Sequence, residues 1–94
     1  MMDDVTVFML FRGRGEFNAE DWCVRGGMVF ADFATAKKAI NRDIQKLRQH
    51  REIRVSEGAC DGEKVRFFNV ASKGHDWVWR VKEHWIIQQT TVIS

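Results

Sequence analysis

Ninety-four residues, 45% of them hydrophobic and 30% charged, are enough for one folded domain (1–94) and too few for a second core. That balance excludes a disordered chain, and a net charge of +2 excludes the strongly acidic mimic of a nucleic acid. Proline and tyrosine are absent, so turns fall to Gly, Asp, Asn and Ser.

Residues 5–11 alternate as a strand that is apolar on both sides. Val5, Val7, Met9 and Phe11 share one face, and Thr6, Phe8 and Leu10 the other. Arg12-Gly13-Arg14-Gly15 ends it with the Gly-x-Gly start of a phosphate loop, without the third glycine or the Lys-Ser/Thr that would complete one. A second strand is expected over 21–31, interrupted by Gly26-Gly27. Asp32 has the acceptor chemistry of a helix N-cap. Beyond it Phe33, Ala36, Ile40, Ile44 and Leu47 recur every three or four positions, the stripe of an amphipathic helix of about 17 residues. Strands follow at 53–57 and 64–71, joined through Asp61-Gly62. After a turn at 72–75 the last long strand carries Trp77, Trp79, Val81, Trp85 and Ile87 on one side and Arg80, Lys82 and His84 on the other. Gln88-Gln89 is expected to turn the chain into a short strand at 90–93. The order β-β-α-β-β-β gives an α+β fold, a single antiparallel sheet of about four to six strands with one helix on one face.

Cys23 and Cys60 form no CxxC pair, and the N-terminus holds no basic and apolar leader pattern, so both thiols are expected reduced in a cytoplasmic protein. No apolar run is long enough to span a bilayer, and no membrane partner is expected. His50, His75, His84 and the cysteines lack ligand spacing, so neither a metal nor a cofactor is expected. No nucleophile–base pair can be assembled from elements placed side by side. His75 beside Asp76 is the one acid–base candidate, and it defines an alternative reading as a small nucleic-acid-modifying or hydrolytic enzyme.

Charge is uneven along the chain. Residues 1–36 hold six acids, whereas 37–54 hold seven of the fifteen Lys and Arg residues. Two basic rows are therefore candidates for an anionic ligand, nucleotide or nucleic acid. One is Lys37, Lys38, Arg42 and Lys46 on the helix; the other is Arg66, Arg80, Lys82 and His84 on the late strands. Arg12 and Arg14 join them at the strand end, and Trp22 is the aromatic expected to be exposed for stacking. One helix covers one face only, so Phe8, Leu10, Phe68 and Ile86 are expected on an uncovered apolar face that seals a homo-oligomer or a host-protein interface. A structural subunit that forms an oligomer through a sheet edge or this open face is a further alternative.

The stretch Met28-Val29-Phe30-Ala31-Asp32-Phe33-Ala34-Thr35-Ala36-Lys37-Lys38-Ala39-Ile40 resembles a strand-to-helix junction of small phage and bacterial accessory proteins. That resemblance implies an inhibitor of host defence, of the anti-CRISPR or nucleotide-sponge type. The expectation is a non-enzymatic binding protein that captures an anionic ligand or a host defence protein.

Overall fold

Asp32 starts the helix as its chemistry predicts. Its Oδ1 accepts from the Thr35 N–H at 2.7 Å and from the Thr35 hydroxyl at 2.8 Å. These bonds, the backbone one foremost, hold the Asp32 carboxyl below its usual value. Helix α1 (Phe33–Arg48) buries Ala36, Ile40 and Ile44 and half-buries Phe33 and Leu47. Lys46 and Arg48 complete its last turn, where cations favour the negative end of the dipole. The computed structural model describes residues 4–18 and 27–93, the side chain of Ile93 excepted.

The strands are β1 (Asp4–Arg14), β2 (Met28–Phe30), β3 (Ile53–Cys60), β4 (Val65–Lys73) and β5 (Trp79–Ile93). They form one antiparallel sheet in the order β2-β1-β5-β4-β3, an α+β fold with the chain order β-β-α-β-β-β. The Asp61-Gly62 hairpin turn forms with φ of 52° and 60°, which Gly and Asp tolerate better than other residues. Only residues 28–30 of the expected second strand are seen as strand, as a short edge; 21–26, with the first of the paired glycines, lie outside the described residues. The turn expected at Gln88-Gln89 is absent. β5 runs straight through, with Gln88 opposite Met9 on one side and Val65 on the other, because both neighbours keep the ladder closed there.

The helix covers the face of Leu10, Phe68, Val70, Trp85 and Ile87, with Phe8 packed against that cluster. The opposite face has its own core of Phe11, Val65 and Ile86, flanked by Met9, Phe17, Cys60 and Phe67. This corrects the expected interface. Leu10 and Phe68 are buried under α1, Phe8 is half-buried beside them, and Ile86 is buried on the other side, so the four share no open surface. The helix does sit on the face of Trp85 and Ile87, but β1 gives that face Phe8 and Leu10, and Met9 and Phe11 belong to the opposite one.

A second correction concerns the last strand. Val70 faces Glu83 and Ala71 faces Val81, so Lys82 is an extra residue, a bulge. The pleat changes phase there, and Trp79 and Val81 lie on the face opposite Trp85 and Ile87. Trp77 precedes the strand and is 79% exposed.

The molecule measures 59 × 28 × 21 Å. A helix of 16 residues is about 24 Å long. The long axis of the molecule therefore exceeds the length of α1 about twofold. Among the described residues no helix is long and apolar enough to cross a membrane.

Candidate functional site

The two basic rows fare differently. Lys38, Arg42 and Lys46 stand one turn apart on the outer face of α1, exposed, and none forms an ion pair among the described residues. Lys37 turns toward the sheet instead, 3.9 Å from a Glu57 carboxylate oxygen and 5.9 Å over the Phe68 ring.

The strand row is dispersed. Arg66 lies on the helix side, donating to Glu57 at 2.8 Å and stacked 5.0 Å over Phe33, at the rim of a groove also lined by Phe8, Lys64 and Gln89. Arg80 grips Asp76 through both guanidinium nitrogens, at 2.6 and 3.1 Å. That bond, followed by the Val78 N–H, draws the Asp76 carboxyl below its ordinary value and raises Arg80. Lys82 is exposed at the bulge. His84 is buried on the face away from α1, where its ring lies edge-on to Phe17 at 5.7 Å. Its Nδ1 is 2.8 Å from the Gly15 carbonyl; a carbonyl only accepts, so Nδ1 carries the proton. The four residues thus split between two faces and a bulge.

The Arg12–Gly15 run continues the ladder instead of making a loop: Gly13 pairs with His84, Arg14 with Glu83, and Gly15 N–H donates to Lys82 O at 2.8 Å. Arg12 is paired with Glu83 and lies 4.8 Å over Trp85, while Arg14 is exposed. A Cβ at Gly13 would overlap the His84 ring, and one at Gly58 the Phe67 ring, so each glycine admits an aromatic side chain across the strand pair. The segment after Gly15 is drawn over this face by Asn69, whose Oδ1 accepts from Phe17 N–H at 3.0 Å, and Phe17 stacks on Phe67 at 4.6 Å. Trp22 and Cys23 lie outside the described residues. Cys60 is half-buried with a free thiol.

His75 and Asp76 are adjacent and exposed, yet both Asp76 oxygens are taken by Arg80 and no hydrogen bond joins Asp76 to His75. Among the described residues no three His, Cys, Asp or Glu side chains come together as a metal set.

The structure also assembles a cluster that periodicity places in the core. At the β4–β5 turn, Lys73 Nζ lies 5.7 Å from the Trp77 ring and 5.2 Å from the Trp79 ring, and Arg54 lies 4.0 Å over Trp79. The result is an alternation of aromatic and cation, Trp77–Lys73–Trp79–Arg54. One signal pointed to it: Glu83 sits in phase within the supposedly apolar stripe from Trp77 to Ile87, where a continuous core strand would not place a carboxylate.

Neither family models, nor curated proteins, nor solved structures match this chain.

Proposed function

We propose that the protein is a non-enzymatic binding protein that captures nucleic acid on the outer face of α1. The observation that carries this reading is the line Lys38–Arg42–Lys46, three exposed cations that form no ion pair among the described residues, Asp32 acting on Lys38 only as a minor electrostatic neighbour. Eight residues of helix span about 12 Å. That reach exceeds the phosphate of a single mononucleotide and suits successive phosphates of a polymer, which favours nucleic acid over a lone nucleotide. Arg48 and Arg51, both exposed, extend the basic character past the helix end. The non-enzymatic part rests on the commitment of Asp76 to Arg80 and of His84 to Gly15, which leaves His75 without a carboxylate partner among the described residues.

The test is titration of a labelled oligonucleotide at several salt concentrations. Three phosphate contacts give a log–log salt slope of about −2 on a single strand. Changing Lys38, Arg42 and Lys46 together to Glu abolishes binding and leaves the circular dichroism spectrum intact. Unchanged affinity in that folded variant overturns the reading.

A further inference from the structure

Trp77 is placed where neither packing nor turn geometry calls for it. The residue is 79% exposed, so it contributes little to the core. Its φ of +62° lies in the left-handed region, which disfavours a bulky side chain and which Gly or Asn fills more readily. The turn is held without the indole: Trp77 N–H donates to Gly74 O at 3.1 Å, Gly74 N–H to Val78 O at 3.2 Å, and Val78 N–H to Asp76 Oδ1 at 3.2 Å. Strained residues of this kind are retained where they meet a ligand.

The surroundings of the ring define that ligand. Its neighbours are cations: Lys73 stands between the two indoles, and Arg54 lies against Trp79. The nearby carboxylate, Asp76, is neutralised by Arg80. An apolar protein surface docking here would bury Lys73 and Arg54 without counter-charge, which is costly. A ligand with a flat π-face and adjoining negative charge satisfies both parts. We infer that the β4–β5 turn is a base-stacking tip for single-stranded nucleic acid, an unpaired base lying on Trp77 and its flanking phosphates on Lys73 and Arg54. A duplex keeps its bases inside the stack and offers no such face, so the tip selects unpaired strand. The inference deepens the nucleic-acid reading of α1 and rests on it for the class of ligand, but uses different residues on a different part of the sheet.

The experiment compares two labelled oligonucleotides of equal length and charge, one with its bases and one abasic throughout, against the wild-type protein, Trp77→Asn, and the triple Glu variant of α1. Asn suits the left-handed backbone, so Trp77→Asn removes the ring without straining the turn. The wild type binds the base-bearing strand about 5- to 150-fold more tightly, the range expected for stacking one base. Trp77→Asn erases that preference while still binding the abasic strand. The α1 variant loses affinity for both strands. Equal wild-type affinity for the two strands, or a preference that survives Trp77→Asn, overturns the tip while leaving the α1 reading in place. A preference retained at full affinity in the α1 variant overturns the α1 reading and leaves the tip. Binding of neither strand at low salt overturns both.

Discussion

Gly13→Ala is the sharpest probe of how the face away from α1 is built. A methyl at position 13 overlaps the His84 ring, which must then rotate out of its slot. Displacing the ring breaks its bond to the Gly15 carbonyl, about 1 kcal/mol, and its edge contact with Phe17, about 0.5–1.5 kcal/mol. The substitution also restricts the unfolded chain, which returns about 0.5–1 kcal/mol. The net loss is about 0.5–2 kcal/mol, which lowers the thermal midpoint by about 2–15 °C in a domain of this size. The decisive measurement is a double-mutant cycle followed by urea unfolding. In a His84→Ala background no ring stands above position 13, and Gly13→Ala should be neutral or slightly stabilising. The coupling between the two positions is therefore about 2 kcal/mol. If Gly13→Ala costs the same in both backgrounds, the ring is not what keeps the position a glycine.

Two further outcomes follow from the β4–β5 turn. Trp77→Asn should leave the unfolding free energy from urea titration unchanged or raise it by up to about 1 kcal/mol, since the left-handed backbone is relieved and little burial is lost; a clear fall would make the indole a structural residue. Asp76 has its folded carboxyl held below the ordinary 3.8, by Arg80 first and then the Val78 amide, so its stabilising effect is present above that value and disappears as pH falls through the lowered one. Asp76→Asn should therefore be less stable than the wild type at pH 7, with the two unfolding curves converging in acid. A gap that stays constant from pH 7 to pH 2 would refute the clamp.

The helix was legible because its signals are local: a capping aspartate and a stripe with a period set by the helix itself. The 61–62 hairpin was legible for the same reason. What failed depends on pairs that are distant in the chain. Alternation along 77–87 says which residues share a face only while the ladder is regular, and the extra residue Lys82 is visible only against its partners Val70 and Ala71. That single bulge moved Trp79 off the core face and scattered the strand row of cations. The burial of Phe8 and Leu10 was misjudged because both faces of β1 are apolar, and nothing in its own residues says which one the helix takes. His84 reads as a surface cation beside Arg80 and Lys82, yet the register sets it over Gly13, a relation between residues 71 positions apart. Of the candidate site, the helix cations were legible and the Trp77 cluster was not.

The position of β5 has a consequence for how the chain is made. It follows every other described element, yet it lies at the centre of the sheet, bonded to β1 along one side and to β4 along the other. A ribosome releases β1, β2 and α1, then the β3–β4 hairpin, as two pieces that share no strand contact until β5 emerges. During that interval the inner edges of β1 and β4 carry unpaired amides and carbonyls beside Leu10, Phe11, Phe68 and Val70, all of them buried in the finished fold. Closure then joins Asp4 to Ile93, 89 positions apart, and folding dominated by such distant pairs is slow. The interval before closure is when the protein is most prone to pair with another copy of itself, and a chain stopped before Trp85 would stay in that state.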